Sequence, residues 1–174
     1  MANDSLQLPP QALEAEMAVL GSMLIERDAV ERAMDLLDEK DFYHESHRSV
    51  FRIMAELAGR SAAVDYVTVS EELRKLKRLD GIGGAAFLSE LVHKVATAAH
   101  VEHFARLVKE KSILRELIGA ATSVVSACYK EEKPATEILD EAQVNVLRVA
   151  QRQPLRDVVD AKELAHEVLE QIEA

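Results

Sequence analysis

"AAHVEHFARLVKEKSILRELIGAATSVVSACYK", residues 98–130, decides the fold. Val101, Phe104, Val108, Leu114, Ile118, Ala121 and Val125 stay near one side at helical spacing and no proline interrupts them, which predicts one continuous helix from about Ala98 to Lys130. At 1.5 Å per residue such a helix is roughly 50 Å long, more than a small bundle covers, so it is expected to project. "KEEKP", residues 130–134, then turns the chain, and Pro134 suits the next helix entrance. Ile138, Ala142, Val146 and Val149 mark a shorter returning helix, giving an antiparallel helical hairpin. Pro154 in "QRQPLR", residues 151–156, keeps that helix from continuing. From about Asp157 a separate helix carries Val158, Ala161, Leu164, Ala165, Val168 and Ile172.

The residues before this segment repeat the helical pattern in shorter pieces. Pro9 and Pro10 suit a helix entrance, and Leu13, Met17, Leu20 and Leu24 share a face behind them. Gly21 is costly inside that helix unless another helix packs closely against it. Asp28 is placed to cap a second helix bearing Val30, Ala33, Met34 and Leu37. His47, Val50, Phe51, Met54, Leu57 and Ala58 line one side of a third, with Gly59 at its end. "AAVDYV", residues 62–67, is the best candidate for extended chain, followed by Thr68 and Glu71 as a Thr-x-x-Glu capping box. A glycine turn at 81–84 leads into a helix from Ala85 to about Val95. The expectation is an all-α chain: a globular helical head over 1–97, the hairpin over 98–151, and an interdomain linker with an amphipathic helix over 152–174.

Composition agrees and excludes several functions. Of 174 residues 48% are apolar but only 4% aromatic, with no Trp, which suits aliphatic helix packing. A net charge of −10 opposes any broad grip on nucleic acid, since backbone binding needs an excess of Lys and Arg. The single cysteine, Cys128, cannot form an internal disulfide, and it is expected to serve as a small apolar residue. No secretion signal opens the chain and no apolar run is long enough to span a bilayer, so the expected location is cytoplasmic, with no membrane partner. Met1 looks like a natural start, while "EVLEQIEA" stops inside a helical pattern, as the front part of a longer protein would.

None of the chemistry-bearing patterns completes a site. Gly81-Ile82-Gly83-Gly84 lacks the last glycine of G-x-G-x-x-G and has no strand before it, and no glycine is followed by lysine as a phosphate loop requires; a tight turn explains it. His44 with His47, and His100 with His103, are spaced three apart rather than the four of H-E-x-x-H, and no third metal ligand is evident. Asp41, His44 and Glu45 have no assignable nucleophile or anion pocket beside them. The basic run Arg74, Lys75, Lys77 and Arg78 is flanked by Glu71, Glu72 and Asp80, so a solvated face is the default. A nucleic-acid-binding module using that run with Arg106, Lys109, Lys111 and Arg115 is the alternative. No catalytic, cofactor-binding or metal residue is assigned. What remains is apolar surface without cover: an isolated helix of about sixteen residues is marginal in water, so the hairpin and the last helix ask for partners.

In order, "PPQALEAEMAVLGSML", "DFYHESHRSVF", "VDYVTVSEEL", "LDGIGGAAFLSEL", "AAHVEHFARLVKEKSILRELI" and "ILDEAQ" resemble the amino-terminal region of the bacterial replicative DNA helicases, the DnaB family, from about Leu8 to Gln151. The resemblance implies subunits that pair into dimers and a trimer of dimers, a collar above a hexameric ring of ATPase motors threaded by single-stranded DNA. It implies that the collar receives the primase C-terminal domain, and that the linker helix docks on the motor domain of the adjacent subunit. ATP and Mg would belong to the motor, which this chain lacks, so its part is assembly and primase recruitment, with no cofactor of its own. Glu14, Phe87, Ile118 and Val124 occupy positions matching the family's primase-docking surface, with ordinary core as the competing reading, evenly balanced for Phe87. Val158, Leu164, Val168 and Ile172 are the matching linker face. A primase C-terminal helicase-binding domain, which has a similar bundle and hairpin, is a further alternative. His100 and His103 depart from the family pattern, which is usually amide or aromatic there.

Overall fold

The computed structural model describes residues 8–95 and 97–152. Among them every regular element is helical: α1 (Leu13–Ile25), α2 (Arg27–Leu36), α3 (Glu45–Gly59), α4 (Tyr66–Lys75), α5 (Gly84–His93), α6 (Val101–Lys130) and α7 (Ala135–Ala150). Single 3-10 turns stand before α3, α5 and α6. The chain divides into two compact units after Arg115, so the first fifteen residues of α6 belong to the first unit.

In the first unit α1 is the central helix, packed by α2, α3 and α5. Neighbours on several sides bury nine of its thirteen residues, Val19, Leu20 and Met23 completely. Gly21 is where α5 comes closest: a Cβ there would lie 2.2 Å from the carbonyl oxygen of Leu91 and 2.7 Å from a Val95 methyl. This is the close approach that the mid-helix glycine predicts. α3 contributes Val50, Phe51, Ile53 and Met54, with Phe51 tilted against Phe42 at 4.8 Å between ring centroids. Leu73 of α4, Leu88 and Leu91 of α5, and Val101, Ala105 and Val108 of α6 complete one continuous core.

Helix boundaries differ from the sequence reading where caps compete. α2 starts at Arg27, so Asp28 sits inside its first turn and caps nothing; there it faces the positive end of the helix dipole. Pro9 and Pro10 precede α1 by several residues instead of opening it. α4 begins at Tyr66 because Asp65 is a stronger cap than Thr68. The Asp65 carboxylate accepts the Thr68 backbone N–H at 2.9 Å, and the Thr68 hydroxyl accepts the Asp65 N–H at 3.1 Å. The capping box is therefore Asp65 with Thr68, not Thr68 with Glu71, and Tyr66-Val67 is helix, not extended chain. α6 starts three residues later than expected, after a 3-10 turn over Ala98–His100 capped by Thr97. Met34, expected on the buried face of α2, is exposed, and Leu37 is buried just past the helix end.

At the glycine turn, Gly83 (φ 105°) and Gly84 (φ 73°) occupy the left-handed region, where L side chains are strained. The turn carries Ile82 into the core and starts α5, as its structural reading requires.

In the second unit, α7 runs back along the later half of α6. Lys133, in the turn, pairs with Glu137 and Glu141, and Arg152, just after α7, pairs with Glu116. Glu116 opens the later half of α6, so the Arg152 pair ties the end of α7 to that start, as in an antiparallel pair. Pro134 stands at the α7 N-cap as the sequence suggests. The expected helix after Asp157 lies outside the described residues.

Candidate interaction site

Glu14 projects from the first turn of α1 and is exposed, its carboxylate 2.6 Å from Lys94 Nζ. The pair rims a shallow groove of about 450 Å3 whose walls are Ala12, Leu13, Ala15, Ala18, Phe104 and Leu107. Two residues further on, Glu16 is turned by about 200° around the same helix and is 1% exposed. One oxygen accepts the Tyr43 backbone N–H at 2.6 Å; the other meets His47 Nδ1 at 2.6 Å and the His44 N–H at 3.4 Å. A carboxylate from α1 thereby satisfies backbone donors where α3 begins, groups that a helix start otherwise leaves open. His47 is buried as expected of a core histidine, and its ring stacks on Phe87 at 5.6 Å and 6°. Phe87 is half-buried, packed against the core without being enclosed by it.

A second buried polar cluster ties α6 to the turn before α3. Lys109 Nζ lies 2.8 Å from Asp41 Oδ2, and the same oxygen accepts the Asp38 N–H at 2.8 Å. Arg115 donates to the carbonyl oxygens of Pro10 at 2.7 Å and Asp41 at 2.5 Å, with its guanidinium 5.6 Å from the Tyr43 ring centroid. Burial lowers the Arg115 pKa from its usual value, partly opposed by Glu16 and Asp41. Two of the four α6 cations in the nucleic-acid alternative are therefore occupied inside the first unit: Lys109 is buried and Arg115 half-buried. Their hydrogen bonds and ion pair are made within the fold, and Lys109 has little surface left to offer a phosphate. His44 is the N-cap of α3, its Nδ1 accepting the Ser46 N–H at 3.3 Å. Among the described residues no three His, Cys, Asp or Glu side chains converge to hold a metal, and no helix is long and apolar enough to cross a membrane.

The second unit has the opposite character. Val149 is its one fully buried hydrophobic side chain among the described residues. Ile118 is 52% exposed and Val124 half-buried. Around them Leu117, Val125, Tyr129, Leu139, Val144 and Leu147 are also exposed. Cys128 is exposed too, so among the described residues it is not the packed small apolar residue that the sequence suggests. Val158, Leu164, Val168 and Ile172 lie outside the described residues.

Residues 8–110 match the family model of the DnaB-like helicase N-terminal domain. The chain belongs to this family. It is 40% identical over 169 residues to the replicative DNA helicase DnaB of Geobacillus stearothermophilus, covering 97% of this chain and 37% of that protein. With the replicative DNA helicase DnaC of Bacillus subtilis the identity is 37%, covering 96% and 37%. Among solved structures, the N-terminal domain of DnaB helicase from Mycobacterium tuberculosis superposes with a TM-score of 0.78 at 39% identity, over 81% of this chain and 99% of that one. A DnaB-like replicative helicase, described together with its interactions with primase, gives 0.67 at 21% identity over 94% of this chain and 35% of that one, a likeness of fold.

The chain thus spans little more than a third of the length of these curated DnaB relatives. Its family match favours the helicase side over a primase C-terminal domain. Of the candidates taken from the DnaB resemblance, Glu14 and Ile118 are accessible, while Phe87 and Val124 are half-buried. Sequence reasoning missed Glu16, Asp41 and Lys109 as internal groups. Glu16 stands three residues after Leu13 and four before Leu20, on the apolar stripe of α1, and that register was the available signal.

Proposed function

We propose that this chain is the collar region of a replicative helicase, which joins subunits and recruits primase. The observation that carries the reading is the second unit, where α6 and α7 leave Leu117, Ile118, Val125, Leu139, Val144 and Leu147 in water. Each such side chain gains roughly 1.5–3 kcal/mol on full burial, so a second copy presenting the same face is stabilised by covering it. In this reading paired subunits build a trimer of dimers within a hexameric ring. Glu14 and Phe87 from the first unit, and Ile118 and Val124 from the second, contact the primase C-terminal domain. Val158, Leu164, Val168 and Ile172 dock on the neighbouring subunit's motor. ATP and Mg binding, unwinding and the grip on single-stranded DNA belong to that motor, in the cytoplasm.

Mass in solution tests the assembly step, measured by sedimentation with and without a primase C-terminal domain. The expected result is a dimer or larger species that Ile118→Asp and Val124→Asp shift toward monomer, with the helical signal retained. A wild-type chain that stays monomeric at high concentration overturns it.

A further inference from the structure

The Glu16–His47 pair is an unusual use of the core. Two ionisable side chains, 1% and 6% exposed, meet where apolar residues would serve packing as well, because withdrawing such groups from water is costly. Glu16 accounts for its place by accepting the backbone donors at the start of α3. His47 has a second contact that this does not explain, its face-to-face stack with Phe87.

His47 is held in place: Nδ1 is bonded to one oxygen of Glu16, while the other oxygen is fixed by the Tyr43 N–H. A ring so held offers a flat, oriented platform, and the 5.6 Å separation at 6° is that of an offset aromatic stack. From the other direction Gly83 leaves room: a Cβ there would come within 3.2 Å of the Phe87 Cβ. Phe87 sits in the first turn of α5, stacked on the His47 platform, yet its side chain is only half-buried. An aromatic ring already confined before binding loses little rotamer freedom when a partner covers it.

We infer that His47, clamped by Glu16, is a positioning residue that presents Phe87 as a preformed anchor for an apolar pocket on the partner's helical domain. The inference rests on the assignment of Phe87 to the primase contact. Glu16 and His47 touch no partner themselves. They act through the orientation of one ring.

A double-mutant cycle on the whole chain tests this, with affinity for a primase C-terminal domain read by calorimetry and folding followed by circular dichroism. Phe87→Ala is expected to weaken binding about tenfold, as loss of an anchor does. His47→Gln keeps a donor toward Glu16 but removes the platform, and is expected to weaken binding about fivefold, short of the loss caused by removing the anchor itself. The double variant should bind no worse than Phe87→Ala, since without the ring there is nothing to position. Glu16→Gln keeps an oxygen for the Tyr43 N–H while loosening the hold on His47, and should weaken binding in the same sense, deciding the matter if His47→Gln does not fold. Losses that simply add in the double variant, or Glu16→Gln and His47→Gln proteins that bind like wild type while Phe87→Ala does not, overturn the positioning role and leave the contact standing. An unchanged Phe87→Ala overturns both the positioning role and the Phe87 contact, with self-association still judged by mass.

Discussion

The two halves of α6 are one helix with two fates. Residues 101–115 bury Val101, Ala105 and Val108 together with the polar Lys109 and Ser112, whereas none of residues 116–130 is fully buried. Ile118 and Val125 in the later half are as apolar as Val101 and Val108 in the earlier one, but they stand in water. Lys109, long and charged, lies inside. Hydrophobic spacing therefore specified the helix throughout, while burial followed from what lies opposite each turn. In the first unit a nearby turn supplies Asp41 for Lys109. Among the described residues the second unit supplies α7 alone, and two helices cannot enclose each other.

The largest way to break this contrast is Lys109→Ala. It leaves the Asp41 carboxylate buried without its ammonium, and loss of one partner from a buried pair costs about 3–5 kcal/mol. Thermal and urea unfolding should show the first unit collapsing in stability, whereas Lys130→Ala, exposed in the last turn of the same helix, should stay within about 0.5 kcal/mol of wild type. Next comes the mid-helix glycine of α1. Gly21→Ala drives a methyl into the Leu91 carbonyl and should destabilise by about 1–3 kcal/mol in a denaturant titration.

The Asp65 cap gives a smaller, local effect. Asp65→Ala should cost about 1 kcal/mol by thermal melting. The Thr68 backbone N–H holds the Asp65 carboxyl below its ordinary pKa. Its contribution is thus present above the unfolded-state value, about 3.9, and is lost as pH falls through the lower folded value. Wild type and Asp65→Ala should accordingly converge in stability in acid. If the difference persists there, the cap is not electrostatic. Smallest, and opposite in sign to Gly21, is Gly119→Ala: a Cβ there meets nothing within 4 Å, so only helix propensity acts and stability should rise by about 0.5–1 kcal/mol.

The order of helices, the long α6, the turn at Pro134 and the close packing at Gly21 were all legible in the sequence, because each depends on spacing or on a residue whose backbone preference is strong. Cap positions were less so. At α4 two candidate caps lie three residues apart, and the winner formed the reciprocal bonds of Asp65 with Thr68. For the interaction site, residue type was a poor guide: Glu14 and Glu16 are the same amino acid on the same helix, one paired with Lys94 at the surface, the other buried against His47.

Sequence by itself determined the periodicities, and with them an aliphatic all-α chain whose apolar stripes continue along the whole of α6 and α7. Tertiary structure alone decided which polar groups went inside. A buried charge is tolerated only where a partner of opposite sign or a row of backbone donors stands within about 3 Å, and those partners, Asp41 for Lys109 and His47 with the Tyr43 amide for Glu16, come from residues 27 to 68 positions away.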